Sequence, residues 1–142
     1  MEKADGTRPK HEIRLRVRYA ETDQMGVVYY ANYLVWLEIG RVEFVRSRGF
    51  NYKDVEEQEG LFLAVTESNC RYLYPARYDQ EIVIQTEVSN SGPRFIEFTY
   101  EIRSTDPDRL LAHATTRHVW VNREWRPTRL PEKYRNALFN AG

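Results

Sequence analysis

The chain has 142 residues, of which 42% are hydrophobic and 13% aromatic, and its 21 basic and 21 acidic side chains give a formal net charge of zero. These values are typical of one globular domain, and the lack of a basic excess argues against nucleic-acid binding. One cysteine, Cys70, excludes an internal disulfide and favours a reducing compartment. No apolar run approaches the ~18 residues of a membrane span. We therefore expect a cytoplasmic protein, and the neutral charge balance favours self-association.

The N-terminal part predicts a tail followed by a strand. Residues 1–10 are polar and contain Gly6 and Pro9, so we expect a flexible tail. From His11 onward, apolar residues alternate with arginines, which predicts a half-buried strand. The arginines on its other face are interpreted as solvated, although such a row can also hold an anion. The alternating residues are Ile13, Leu15, Val17 and Tyr19 against Arg14, Arg16 and Arg18.

The next stretch contains the long helical pattern of the chain. We predict a helix from Asn32, as a possible N-cap, to about Arg48, with Gly49 ending it. Apolar side chains cover most of its circumference, which predicts a helix that is buried nearly all round. These side chains are Leu34, Val35, Trp36, Leu37, Ile39, Val42, Phe44 and Val45.

Four more strands follow the helix. Residues 51–60 are interpreted as an acidic loop or a short helical turn, and residues 132–142 as a C-terminal tail or short helix. The strands are predicted near residues 61–72, 82–88, 96–102 and 110–121, joined by short turns that favour antiparallel pairing. One strand, one long helix and four strands predict a two-layer α+β domain over residues 11–131.

Few residue patterns in the chain indicate a specific chemistry. There is no phosphate loop and no nucleophile elbow, and the three histidines lack the spacing of metal ligands. His113 and His118 are five residues apart on a strand, so their side chains are expected on opposite faces. Cys70 is interpreted as a buried, unreactive thiol. We expect neither a metal ion nor a cofactor.

Asp23 is the strongest candidate for catalysis. It lies in a loop with Gly26, shortly before the predicted helix. Backbone N–H groups at a helix start are free donors, and the helix dipole stabilises negative charge there. A carboxylate beside such a donor suffices for acyl transfer, because the donor polarises a carbonyl and the carboxylate attacks it or activates water. The alternative is that Asp23 only caps the helix.

The block from Tyr19 to Tyr33, YAETDQMGVVYYANY, resembles the signature of the 4-hydroxybenzoyl-CoA thioesterase family of hotdog-fold proteins, especially the acyl-CoA thioesterases linked to the Tol-Pal cluster. The similarity continues at Trp36, Glu38 and Arg41, at residues 72–76 and at residues 119–131. It implies a five-stranded antiparallel sheet wrapped around one long central helix. It also implies dimers or homotetramers with acyl-CoA sites at subunit interfaces.

The resemblance assigns roles to particular residues. The catalytic carboxylate falls on Asp23, and the backbone N–H that polarises the carbonyl falls on Tyr30, where many relatives carry histidine. Tyr19 matches an aromatic residue near the site, or packs at the end of its strand. Arg77 and Arg94 lie in connections between strands and are candidates for binding the phosphates of CoA, since arginine binds phosphates well.

The sequence therefore predicts an acyl-CoA thioesterase with Asp23 as nucleophile or general base. Two alternatives stay open. The chain can be a non-catalytic module that binds acyl-CoA or an acyl carrier protein. The other, ranked last, is a hotdog dehydratase, since that chemistry normally uses a positioned histidine and position 30 is a tyrosine.

Overall fold

The computed structural model describes residues 8–139, which form a five-stranded antiparallel sheet with a 16-residue helix packed on one face. The strand order is β1-β3-β4-β5-β2. The α+β class and the order of the elements are as predicted. The elements are β1 (Lys10–Arg16), α1 (Asn32–Ser47), α2 (Tyr52–Glu59), β2 (Phe62–Tyr72), β3 (Glu81–Ser91), β4 (Phe95–Thr105), β5 (Asp108–Val121) and α3 (Glu132–Phe139).

The alternation of the strands produces a buried inner face and a solvated outer face. On the three central strands, every second side chain packs beneath α1, as shown by the paired residues Ile84 and Ile102, which are fully buried. His118 lies on this inner face, whereas His113 is exposed on the outer one. The predicted opposite orientation of the two histidines is confirmed.

Helix α1 buries one side and exposes the other. Trp36, Leu37 and Phe44 are fully buried against the sheet. Gly40 allows the helix to approach the sheet closely, because a Cβ at this position would lie 2.6 Å from Thr86 Oγ1. The opposite side remains accessible, with Leu34 43%, Val35 44% and Ile39 36% exposed. The prediction of a helix buried nearly all round is therefore wrong for the single chain, because the sheet covers only one of its sides.

Several boundaries differ from those predicted. Lys10 already belongs to β1, and the strand ends at Arg16 because residues Tyr19–Glu21 form a 3₁₀ turn. The N-cap of α1 is Ala31 rather than Asn32, whose side-chain amide instead donates to the Glu21 carbonyl. Of the predicted tail, residues 1–7 lie outside the described residues.

The acidic stretch after α1 is a true helix, α2. Asn51 caps it by accepting a hydrogen bond from the Asp54 N–H at 2.8 Å, and Gly60 ends it in the left-handed conformation. The short C-terminal helix is α3. Within residues 8–139, no helix has the length and apolar character needed to cross a membrane.

Candidate active site

A tight hairpin holds Asp23. The Asp23 N–H donates to the Val27 carbonyl at 2.8 Å, and the Gly26 N–H donates back to the Asp23 carbonyl at 3.0 Å. Gly26 has φ +83°, a conformation that side chains with a Cβ rarely adopt, so the sequence needs glycine here. A bridge between Thr22 and Val28 closes the hairpin. Asp23 thus lies in a fixed turn at the end of the sheet where β1 finishes.

The two oxygens of the Asp23 carboxylate have different surroundings. Oδ1 accepts hydrogen bonds from the N–H groups of Met25 at 2.8 Å and Val27 at 3.5 Å, an arrangement that fixes the side chain over its own turn. Oδ2 accepts no hydrogen bond from any residue between 8 and 139. The side chain is therefore oriented through one oxygen and keeps the other available for a substrate.

The start of α1 leaves two backbone donors unused. The N–H groups of Asn32 and Tyr33 donate to the carbonyls of Tyr29 and Tyr30, at 2.9 and 3.2 Å. The N–H groups of Tyr30 and Ala31 have no acceptor within the described part of the chain. A peptide unit is planar and trans, so the Tyr29 carbonyl, held by Asn32, points the Tyr30 N–H the opposite way. An oxyanion in front of Tyr30 would meet this N–H and the positive end of the helix dipole.

Glu21 connects the hairpin to the helix. Its side chain is buried, with Oε1 accepting from the Arg18 N–H at 2.8 Å and Oε2 from the Trp36 indole N–H at 3.0 Å. Its backbone carbonyl accepts from the Tyr29 N–H at 2.9 Å and from the Asn32 amide. One residue thereby fixes the hairpin of Asp23 relative to the donors at the start of α1.

An aromatic groove of about 250 Å³ lies next to Tyr30. The Tyr72 hydroxyl donates to the Tyr30 carbonyl at 3.2 Å, which orients the peptide that follows Tyr30. The Tyr33 hydroxyl accepts from the Ala76 N–H. The residues that line the groove are Val28, Tyr30, Tyr33, Tyr72, Leu73, Tyr74 and Pro75.

Burial raises the pKa of several groups beside this groove. It raises the pKa of Tyr33, and it raises the pKa of Tyr72 to about 12, with a smaller contribution from the neighbouring Cys70. Burial also raises the pKa of the Cys70 thiol, although the residue is half-buried rather than fully buried as expected. The thiol form is a poor nucleophile, which agrees with the interpretation of Cys70 as unreactive.

The other predicted site residues are Tyr19, Arg77 and Arg94, and they do not all lie near Asp23. Tyr19 begins the 3₁₀ turn and is exposed, with its ring 5.6 Å from that of Tyr78. Arg77 pairs through its backbone with Val27, which places it beside the Asp23 hairpin, and its side chain is exposed. Arg94 lies in the β3–β4 turn, whereas β3 starts beside β1 at the Asp23 end. Eleven strand residues separate these ends, about 36 Å. One chain therefore does not bring Arg94 to Asp23.

Sequence reasoning missed the roles of Glu21 and Tyr72. Glu21 lies within the block from Tyr19 to Tyr33, but a carboxylate beside Thr22 and Asp23 gives no sign that it points into the core toward Trp36. Tyr72 began the second block of similarity, and its contact with Tyr30 spans 42 residues of sequence. Neither contact follows from local periodicity.

Comparison with known proteins identifies the family. Residues 17–138 match the thioesterase-like superfamily. The chain belongs to this superfamily. It is 38% identical over 110 residues to a putative acyl-CoA thioesterase, YneP, of Bacillus subtilis, covering 78% of each protein. It is 31% identical to the acyl-CoA thioesterase YbgC of Haemophilus influenzae, covering 89% of this chain and 92% of that one. This thioesterase-like protein is thus a thioester hydrolase.

Solved structures confirm the hotdog fold of this superfamily member. A DHNA-CoA thioesterase from Staphylococcus aureus superposes with a TM-score of 0.86 at 28% identity, covering 90% of this chain and 87% of that one. The 4-hydroxybenzoyl-CoA thioesterase of a Pseudomonas strain superposes with a TM-score of 0.84 over 91% of this chain and 99% of its own. At 19% identity, the second likeness supports the fold alone.

Proposed function

We propose that the chain hydrolyses the thioester of an acyl-CoA to the free acid and CoA. The observation that carries this proposal is the pairing of an oriented carboxylate with a free oxygen, Asp23 Oδ2, and a free backbone donor, the Tyr30 N–H. Glu21 ties the two elements together, so both groups have fixed positions. The names of the bacterial relatives support CoA as the thiol component.

The chemistry assigned to each group is as follows. The thioester oxygen accepts a hydrogen bond from the Tyr30 N–H, which stabilises the negative charge that develops on it. Asp23 either attacks the carbonyl carbon, releasing CoA thiolate and leaving an anhydride that water hydrolyses, or removes a proton from the attacking water. Both routes use the free oxygen of Asp23, and both end with acid, CoA and one consumed water.

The CoA part is assigned to the surface beside the hairpin. Arg77 is exposed, adjoins Val27 and forms no side-chain hydrogen bond or ion pair within residues 8–139. A guanidinium without a protein partner is available for a phosphate. Arg94 would reach the same ligand only from a second copy of the chain. Tyr19 is proposed to flank the ligand next to Tyr78.

Self-association as a dimer or tetramer is part of the proposal. Leu34, Val35 and Ile39 expose apolar surface on α1, and β2 pairs with β5 along one edge while its other edge has no strand partner in the described chain. Exposed apolar faces and free strand edges are common association surfaces. A cytoplasmic site of action agrees with a substrate made inside the cell.

The direct test is release of free thiol from a panel of short-chain, long-chain and aromatic acyl-CoAs. The proposal expects turnover of at least one class by the purified protein. Absence of turnover across the whole panel, together with tight calorimetric binding of an acyl-CoA, would instead establish a binding module.

A further inference from the structure

A second cavity, of about 260 Å³, lies beside the middle of α1. It combines charged, polar and apolar side chains from α1, α2 and β2. Neither Asp23 nor any residue of the aromatic groove contributes to it. Its lining residues are Glu38, Arg41, Val42, Tyr52, Glu56 and Leu63.

Arg41 supplies a positive charge without a carboxylate partner. None of the ion pairs between residues 8 and 139 includes it. Its Nη1 donates to the Tyr100 hydroxyl at 3.4 Å, a long contact that leaves most of its N–H donors unused. The Tyr100 hydroxyl in turn lies 2.6 Å from Thr116 Oγ1. A half-buried guanidinium normally has more acceptors than one long contact to a hydroxyl, so the remaining N–H groups of Arg41 can donate to an oxygen of a ligand.

The hydroxyl of Tyr52 also lacks a partner. This oxygen is buried at the wall of the cavity and makes no hydrogen bond. Burial raises the pKa of the Tyr52 phenol far above the ordinary value, and Arg41 and Tyr100 have smaller, opposite electrostatic effects on it. The hydroxyl therefore stays protonated. A buried hydroxyl without a partner costs stability, so its retention requires an explanation such as a bound ligand or water.

The charges around the cavity select the kind of ligand group. Glu38 and Glu56 line it together with Arg41, so a carboxylate on the ligand would be repelled. A neutral hydroxyl fits better, because it can accept from Arg41 or Tyr52 and donate to a glutamate. The apolar side chains Val42 and Leu63 suit the hydrocarbon that would carry such a hydroxyl.

The exposed side of α1 connects this cavity to the proposed catalytic site. Leu34 follows Tyr30 by one turn, and Glu38 and Arg41 follow in the next two turns on the same side of the helix. Arg41 is eleven residues beyond Tyr30, about 16 Å along the axis. A chain whose thioester lies at Tyr30 can run over Leu34 and reach the cavity only if it is long.

From these observations, and resting on the function proposed above, we propose that the cavity binds a hydroxyl near the far end of a long acyl chain. The enzyme therefore prefers long-chain hydroxyacyl thioesters to their plain counterparts. Arg41 and Tyr52 are the specificity-determining residues, and neither touches the reacting carbonyl.

The test compares 12-hydroxydodecanoyl-CoA with dodecanoyl-CoA for the wild type and for Tyr52→Phe, which removes only the hydroxyl. We expect the wild type to favour the hydroxylated substrate about tenfold in kcat/KM, the value of one net hydrogen bond, and the variant to lose most of that preference. Tyr134→Phe is the matched control, because it removes a tyrosine hydroxyl bonded to Glu59, outside the cavity. Thermal unfolding of each variant is recorded alongside.

The outcomes separate this inference from the proposed function. Equal kcat/KM for both substrates with the wild type overturns the hydroxyl subsite while leaving thioesterase activity in place. A lower unfolding temperature of Tyr52→Phe with unchanged preference also overturns it and indicates structural water in the cavity. Absence of hydrolysis of either substrate, by a protein that hydrolyses another acyl-CoA of the panel, overturns the hydroxyl subsite alone.

Discussion

The carboxylate of Glu21 accepts a hydrogen bond from the Trp36 indole N–H at 3.0 Å, and both side chains are buried. Glu21 is two residues before Asp23. Trp36 lies in the first turns of α1, the helix that begins two residues after Tyr30. This contact holds the carboxylate and the backbone donor of the proposed site together. Neither side chain belongs to the proposed site. A substitution of Glu21 therefore tests how the site is positioned without removing a group that reacts.

Glu21→Gln is expected to lower kcat about tenfold with a smaller effect on KM. The glutamate accepts with both oxygens, from Arg18 N–H and from Trp36. Glutamine has one accepting oxygen, so its NH₂ group would face an N–H donor, at a cost of about 1–3 kcal/mol. Steady-state kinetics should be measured where circular dichroism shows the variant fully folded.

The exposed residue Glu124 provides the control for this substitution, since its side chain makes no hydrogen bond within the described residues. Glu124→Gln should match the wild type. If Glu21→Gln loses stability but retains the full kcat when folded, Glu21 does not position the site.

Tyr72→Phe is expected to reduce kcat by about three- to tenfold, because the Tyr30 carbonyl loses the hydroxyl that fixes the Tyr30–Ala31 peptide, and Tyr30, whose N–H is the proposed donor, is then held less firmly. Tyr134→Phe breaks a hydrogen bond of the same length, 3.2 Å, on α3 and should leave kcat unchanged. Since the pKa of Tyr72 is raised to about 12, the contact should persist across pH 7–10. Equal kcat values for the two variants would contradict this role.

His118 is expected to make stability depend on pH. Burial, with a smaller effect of the Arg41 charge, lowers its pKa from 6.5 to about 3. Between these values the unfolded chain binds the proton and the folded chain does not, so stability falls as pH drops below 6.5, by up to about 1.4 kcal/mol per pH unit.

Denaturant unfolding between pH 5 and 7 measures this dependence. His118→Gln should lose the part of the slope that the wild type shows near pH 6, although it is less stable overall. His113→Gln, on the exposed outer face, should keep the wild-type slope. A slope unchanged by His118→Gln would show that other groups cause it.

Arg77→Ala is expected to raise KM for acyl-CoA about tenfold with little change in kcat, because Arg77 is assigned to a phosphate far from the thioester. The effect should shrink as salt is added. Arg46→Ala serves as the control, since it removes an exposed positive charge from the last turn of α1, where Arg46 pairs with Glu43. Equal KM values for wild type and Arg77→Ala would remove Arg77 from the CoA site.

Local patterns predicted much of the fold correctly. The alternation along β4 and the turn residues between strands specified antiparallel pairs, since both are encoded within a few neighbouring residues. The exposed side of α1 was not predicted, because the apolar character of Leu34 and Val35 does not tell which surface covers them. The cap at Asn32 was misplaced because its amide found a distant acceptor, Glu21.

The candidate site was only partly visible in the sequence. Asp23 and Gly26 form a local turn whose geometry follows from their spacing. The orientation of the free Tyr30 N–H depends on how Asn32 and Tyr33 use the nearby carbonyls, and this follows from the folded backbone rather than from a local pattern. The cavity at Arg41 joins residues from three elements and carries no local signature.

The central claim is that the free oxygen of Asp23 drives thioester hydrolysis, and the kcat of Asp23→Asn on the best acyl-CoA substrate tests it most directly. The asparagine Oδ1 can still accept from the Met25 N–H, so the hairpin should remain folded. We expect kcat to fall roughly a thousandfold with an unchanged circular dichroism spectrum. Removal of an essential proton-transfer group typically lowers the rate by about 10²- to 10⁴-fold. A folded variant that hydrolyses the substrate within about threefold of the wild-type rate would contradict the claim.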